Sequence, residues 1–276
     1  MDALDETTEA GSALGSSQNL SITALPGIPL IEAGDDLIKI IKDGLERCSL
    51  VLKRGDILIL AQKIISKLED RHVTLDTVFP SQAAAELAKE VEKDPRLVEL
   101  ILSESKCVIR KRTGVLIVEH NLGIVMANAG IDSSNIRPLE DDKTGNLRQR
   151  VLLLPKNPDA SCAILREAFK KISGADIAVI INDSVGRAWR NGTVGIAIGT
   201  AGIDALLNMN GHPDLFDRPL KATQIGLADE LAAAASVLMG AANEGYPIVH
   251  IRGYVGGQGQ GSASDLIRAQ EQDLFR

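Results

Sequence analysis

Aromatic side chains make up only 3% of this 276-residue chain, too few for the base-stacking platform of a single-stranded nucleic-acid binder. Cysteine is scarce as well. Cys48, Cys107 and Cys162 are widely separated, odd in number and free of CxxC spacing, which excludes a disulfide framework or zinc knuckle and fits a reducing cytoplasm. No run approaches the roughly 18 to 20 apolar residues of a membrane span. The N-terminal "MDALDETTEAGSALGSSQNL" is acidic and lacks the charged-then-apolar pattern of a signal peptide. Also missing are a Walker GxxxxGK[ST], a GxSxG and an HExxH, and "GGQGQG" lacks the strand-then-helix context of a dinucleotide fingerprint. The four histidines, His72, His120, His212 and His250, have no metal-ligand spacing. Thirty basic residues face 37 acidic ones, for a net charge of −7. That balance argues against nonspecific polyanion binding, so an anionic ligand would need local cations.

What is present is a chain that is 45% hydrophobic, enough for a substantial core built from Ala, Val, Ile and Leu. Residues 1–20 are polar, Gly/Ser-rich and aperiodic, and read as a disordered extension. "GDDLIKIIKDGLERC" sets Leu37, Ile40, Ile41 and Leu45 on one helical face behind an acidic start. A buried strand over Asp56–Leu60 runs into a polar segment bearing Lys63, Ser66 and Lys67. Residues 81–105 are helical in composition. Strands follow, broken at Thr113-Gly114 and Asn121-Leu122-Gly123. After a polar stretch at 138–150 come "VLLLP", a helix over Ala160–Ile172 and a strand over Ile177–Ile181. Further strands are expected at 193–199 and 246–251, with an Ala-rich helix between them ending near Gly240. The loop at 253–261, with five glycines, and the tail over 255–276 read as peripheral. The mixture of hairpins and helices predicts an α/β or mixed α+β fold with mixed sheets.

Two acids stand in strand-end loops, each followed by a hydroxyl residue: Asp132 in "MANAGIDSSN" and Asp183 in "VIINDSVGRAWRNG". Carboxylate plus hydroxyl is a hard-oxygen set suited to Mg2+ or Mn2+. Asp and Ser are equally favoured turn residues that bond their own backbone. Arg187 and Arg190 lie in the same loop and suit an anionic substrate, or else form solvated salt bridges. Trp189 between them reads as a packing anchor. Lys63 and Lys67, four residues apart, point into a groove at the strand end or form a solvated basic face. Asp229-Glu230 are either metal ligands or, the favoured reading, early-helix acids that complement the dipole.

Taken in order, "GIPLIEAGDDL", "ILILAQKIISKLED", "MANAGIDSSN", "LLLPKNPDASCAILREAF", "AVIINDSVGRAWRNG" and "LADELAAAASVLMGAANEG" resemble the coenzyme F420-0:L-glutamate ligase family, the F420 gamma-glutamyl ligases. The resemblance covers about residues 22–253. It implies two intertwined subdomains within 21–254, a homodimer, and a cytoplasmic enzyme using GTP with Mg2+ or Mn2+, and K+ as a further candidate ion. The implied reaction phosphorylates the terminal carboxylate of the deazaflavin coenzyme F420-0. The amine of L-glutamate then displaces phosphate, extending a gamma-linked tail.

By motif match, the resemblance implies that GTP is contacted by Ile28, Pro29, Leu30, Ile31, Gln62, Lys67 and Asn135, and by a second segment comprising Met239, Gly240, Asn243, Glu244 and Gly245. It implies Asp132, Asp183 and Ser184 as metal ligands, with Asp183 also catalytic; Arg187 and Arg190 are added from the residues alone as anionic-substrate contacts. The sequence departs from the family at Gln62 (often Ser), Ser184 (usually Thr) and Ala241, where a metal-linked Gln is common. The alternatives are an acyl-phosphate ligase acting on another carboxylate, and a nucleotide-binding regulatory module that has lost catalysis. The end of the sequence soon after the ligase-like region leads us to expect a stand-alone ligase.

Overall fold

The computed structural model describes residues 18–140, 145, 147–256 and 259–274. The expected N-terminal extension therefore lies outside the described residues up to residue 17. Along the chain the elements are β1 (Ser21–Ala24), α1 (Leu37–Arg47), β2 (Ile57–Ala61), α2 (Gln62–Leu68), β3 (His72–Thr74), α3 (Gln82–Val91) and α4 (Pro95–Ser103). They continue with β4 (Ser105–Arg112), β5 (Val115–His120), β6 (Val125–Ala127), β7 (Leu139–Glu140), β8 (Leu147–Arg148), β9 (Arg150–Leu152) and α5 (Pro158–Ser173). The last are β10 (Ala178–Arg187), β11 (Arg190–Ala201), β12 (Leu207–Asn208), β13 (Gln224–Ile225), α6 (Leu227–Met239) and β14 (Ile248–Arg252). This is the mixed α/β class expected. No helix among the described residues is long and apolar enough to cross a membrane.

A five-stranded mixed sheet, in the order β1-β14-β2-β10-β11, forms the centre. Only the β2/β10 pair is parallel. Both strands are buried on both faces, which explains their unbroken runs ILILA and AVII. One face packs against α1, α2 and α5 through Ile41, Ile64, Leu165 and Phe169; the other packs against α6 through Leu231, Ala232 and Ala235. Asp36 caps α1 by accepting a bond from the Lys39 amide at 3.0 Å, as its acidic start implies. The helical stretch at 81–105 is two helices: Glu92 takes a left-handed φ of +53° and Pro95 starts the second. These helices cover a three-stranded sheet, β4-β5-β6, around Val98, Ile101, Leu116 and Val118. Of the polar stretch 138–150, the described residues include the short β7/β8 pair; residues 141–144 and 146 lie outside them.

Three sequence expectations are corrected by the pairing. "NDSVGRAWRNG" is not a loop after a strand. β10 runs on to Arg187, where Arg187 pairs with Arg190 across the two-residue turn Ala188-Trp189; Val185 and Ile196 pack the base of the hairpin on the core, and cross-strand backbone bonds carry it beyond. Trp189, expected as a packing anchor, sits at its tip with φ +64° and is 88% exposed. The stretch after 254 is not merely peripheral. Asp159 accepts bonds from Ser262 Oγ at 2.6 Å and the Ala263 amide at 3.1 Å, and its Oδ1 also takes the Thr200 amide at 2.7 Å. The tail thereby covers the β11 edge, which would otherwise present unpaired amides.

Close packing of α5 on β11 depends on Gly199. A β-carbon there would lie 2.5 Å from Pro158 Cβ and 2.6 Å from its carbonyl carbon, and backbone cannot rotate aside. Gly199→Ala should cost about 1–3 kcal/mol, seen as a lowered thermal midpoint. Gly186→Ala on the same hairpin, with open space around it, should leave the midpoint nearly unchanged. Equal midpoints for the two variants would refute the packing argument.

Candidate functional site

Because β2 and β10 are parallel and their pairing ends with Ala61 opposite Asn182, the helix that follows β2 starts beside Asp183. Lys63 and Lys67 are one turn apart on α2 and face the same way. Lys63 Nζ lies 2.7 Å from Asp132 Oδ2 and donates to Ser134 Oγ at 2.9 Å. Asp132 Oδ1 accepts the Ser134 amide at 2.9 Å and hydroxyl at 2.7 Å. A bridge between Asp132 and Leu152 fixes this loop to β9.

Asp183 is half-buried and crowded by protein. Burial pushes its carboxyl up to about 6; the neighbouring Asp132 charge adds to the rise, while the Ser184 amide at 2.8 Å and Lys63 oppose it. Burial also acts upward on Asp132, but Lys63 and the two Ser134 donors outweigh it and hold that carboxyl below its ordinary value. Lys63 is thus ion-paired with Asp132, and its charge also acts on Asp183. Lys63, a cation held by Asp132 and Ser134, marks the charge this place accepts, and two neighbouring Asp carboxylates with the Ser134 hydroxyl are a fitting donor set for a hard divalent ion that takes its remaining oxygens from water or phosphate. Among the described residues no group of three or more His, Cys, Asp or Glu side chains could hold a metal by itself.

Three further segments converge on this point. Lys67 Nζ donates to the Asn135 carbonyl at 3.3 Å, and Asn135 Nδ2 donates to the Ala242 carbonyl at 2.9 Å. Asn135 adopts φ +57°, a left-handed conformation that asparagine tolerates better than most residues. The 239–245 segment doubles back after α6 through Gly240 at φ +71°, and Glu244 Oε2 accepts the Ala242 amide at 2.8 Å. Ala241, Asn243, Glu244 and Gly245 are exposed, whereas Met239 is buried beside Asn182 Nδ2 at 3.3 Å. In the Ile28–Ile31 stretch, Ile31 is in the core, Ile28 packs against it, Pro29 is exposed and Leu30 is 74% exposed. The following Glu32 carboxylate acts electrostatically on Lys67.

Other sequence candidates lie apart. Gln62 is buried, with its amide donating to Ser66 Oγ at 2.7 Å. Strand alternation points Asn182 and Ser184 to the α6 side and Asp183 to the α2 side; Asn182 meets Ser236 on α6 at 2.9 Å, while Ser184 reaches Asp183 through its backbone amide. Arg187 and Arg190 stand at the exposed hairpin tip, four residues beyond Asp183, or about 13 Å along an extended strand. Asp229, on α6, accepts the Ala197 amide at 2.9 Å on the β11 edge. Sequence reasoning missed Ser134, which fixes Asp132, and three residues around Lys67: His72, Arg137 and Arg150. The only signal in the sequence was the hydroxyl two residues after Asp132, a common Asx-turn partner.

The comparisons bear on the same stretch. Residues 27–253 match the family model described as F420-0:Gamma-glutamyl ligase. The chain is 45% identical over 225 residues to a coenzyme F420:L-glutamate ligase of Methanocaldococcus jannaschii, covering 82% of this chain and 86% of that protein. It is 40% identical over 259 residues to the same-named protein of Methanothermobacter thermautotrophicus, covering 93% and 99%. For that of Methanopyrus kandleri the identity is 38% over 267 residues, covering 95% and 100%. The matched region contains every segment that converges on Asp132 and Asp183, and on this footing the chain belongs to the F420-0:gamma-glutamyl ligase family.

Proposed function

We propose that the chain joins L-glutamate to the deazaflavin coenzyme F420-0 through an amide bond, at the expense of GTP. The observation that carries this reading is the Lys63–Asp132 ion pair, whose charges act on the neighbouring Asp183 carboxylate, beside the Lys67–Asn135–Ala242 chain of hydrogen bonds. The names of the relatives supply the two substrates.

A free carboxylate has no leaving group, so amide formation needs activation. In the proposed course a carboxylate oxygen of the coenzyme attacks the terminal phosphorus of GTP and GDP departs. The glutamate nitrogen then attacks the acyl carbon, phosphate leaves, and the amine gives up a proton. Asp132 and Asp183 would hold Mg2+ or Mn2+, which offsets phosphate charge during the transfer. Lys67 and Asn135 line the neighbouring space, where an ammonium and an amide can orient an anionic nucleotide. A second copy of the chain is the proposed partner, a reading supported by exposed Trp189, Leu215 and Phe216.

Purified protein given GTP, Mg2+ or Mn2+, L-glutamate and unglutamylated deazaflavin should yield a product heavier by one or more glutamates on mass spectrometry, with GDP released. GDP formed only with another carboxylic acid would make it a ligase of different substrate. GTP bound without GDP release in the presence of both substrates would make it a regulatory module.

A further inference from the structure

The short ladder between β3 and β9 pairs His72 with Leu152 and Thr74 with Arg150, and the bridge on the other side pairs Leu152 with Asp132. Directly opposed and alternate residues share a face, so His72, Arg150 and Asp132 lie on one side. Val73 and Val151, on the other, pack toward α4 with Leu100. Arg150 is therefore a diagonal neighbour of Asp132, roughly 7–8 Å away. Arg137 follows Asn135, whose carbonyl accepts from Lys67. The charges of Arg137 and Arg150 both act on Lys67, as does that of Lys63; burial first, and these cations with it, hold Lys67 below its ordinary value. His72 is likewise lowered by burial and by Arg150 and Lys67.

Lys63 is already paired with Asp132. For Lys67 the opposing charge at hand is Glu32, and among the described residues neither Arg137 nor Arg150 has a hydrogen-bond or ion-pair partner for its guanidinium. Among the described residues the two guanidinium groups thus stand unpaired around Lys67, in a chain of net charge −7. Like charges gathered beside a catalytic cleft repel one another, and an anionic ligand relieves that repulsion.

We propose that Arg150 and Arg137 form a subsite for a carboxylate of an acidic substrate, on the face that carries Asp132 and beside the lysine given to the nucleotide. This rests on the proposed ligase reading. The planar guanidinium fork matches a carboxylate in bidentate fashion. A carboxylate held by Arg150 would set the rest of its substrate on the face that carries Asp132. The carboxylate comes either from L-glutamate or from the deazaflavin acid.

Steady-state kinetics of Arg150→Ala and Arg137→Ala, varying each of the three substrates in turn, test the assignment. The expected result is a KM raised tenfold or more for L-glutamate or for the deazaflavin acid, with the KM for GTP within twofold and the thermal midpoint unchanged. Whichever KM rises identifies the source, and Arg150→Lys should recover only part of the loss. Unchanged KM values for both carboxylate substrates, or a rise confined to GTP, would overturn it. Should wild type show no glutamate extension at all, the ligase reading fails separately. Calorimetric titration with L-glutamate and with the deazaflavin acid then decides the subsite: binding present in wild type and weakened tenfold in the alanine variants supports it, and binding absent or unaltered refutes it.

Discussion

Asp183→Asn is expected to unfold at a higher temperature than wild type near neutral pH in the presence of a chelator, yet to turn over about a thousandfold more slowly or worse. Burial and the Asp132 charge hold the folded-state carboxyl at about 6, above the unfolded value of about 3.9. The folded protein then binds more protons than the unfolded chain between those values, so stability falls as pH rises through that window. The penalty is absent below the unfolded value and complete above the folded one. Its ceiling is about 3 kcal/mol, reduced to about 2 by the partial exposure of the group. Asparagine has the same shape and never ionises, so it escapes the penalty. The advantage of the variant should therefore vanish near pH 4, open as pH rises from 4 to about 6 and stay level above that.

Restoring Mg2+ or Mn2+ should raise the wild-type midpoint and leave that of the variant where it was, because only the ionised carboxylate gains from the cation. Turnover falls because several kcal/mol of charge stabilisation in phosphoryl transfer is withdrawn. Midpoints that coincide from pH 4 to 8, or a variant that keeps wild-type turnover, would remove Asp183 from the site. A residue that weakens the resting fold to serve a charged ligand is the usual exchange between stability and function.

Patterns confined to one segment were legible from the residues alone. The apolar runs of β2 and β10 mark strands buried on both faces, Asp36 marks the start of α1 and Gly240 the end of α6. The positions of Asp132 and Asp183 at the ends of apolar stretches marked them as candidates. That they meet was not legible, because it depends on β10 lying parallel beside β2 and on the Asp132 loop being pinned to β9. The hairpin to Arg187 was missed for a related reason: its polar residues are held by cross-strand backbone bonds, which leave no apolar signature. Arg150 was invisible as a site residue because its neighbours, Thr74 and His72, are distant in the chain and the strands that join them are three residues long.

The other large effect expected concerns the opposite end of β2. Asp56 is 1% exposed, and its carboxylate receives Arg252 Nε at 2.8 Å, Arg252 Nη2 at 2.6 Å and the Lys53 amide at 2.8 Å. His250, buried on β14, brings Nε2 to 3.0 Å. Burial acts to raise the Asp56 carboxyl, but these donors outweigh it and hold the group below its ordinary value. The cluster ties the start of β2 to the end of β14, and Arg252 Nη2 also donates to the Val51 carbonyl at 2.7 Å. Asp56→Ala would strand a buried imidazole and a partly buried guanidinium, at a cost of about 3–4 kcal/mol. Asp56→Asn keeps one acceptor and should cost about 2 kcal/mol. The folded carboxyl lies below its unfolded value, so its contribution is complete above about pH 4 and is lost as pH falls through the folded value. The difference between wild type and Asp56→Asn in urea unfolding should accordingly be constant from pH 5 to 8 and shrink below pH 4. A difference of the same size at pH 3 would mean that packing, rather than the charge on Asp56, holds the two strands together.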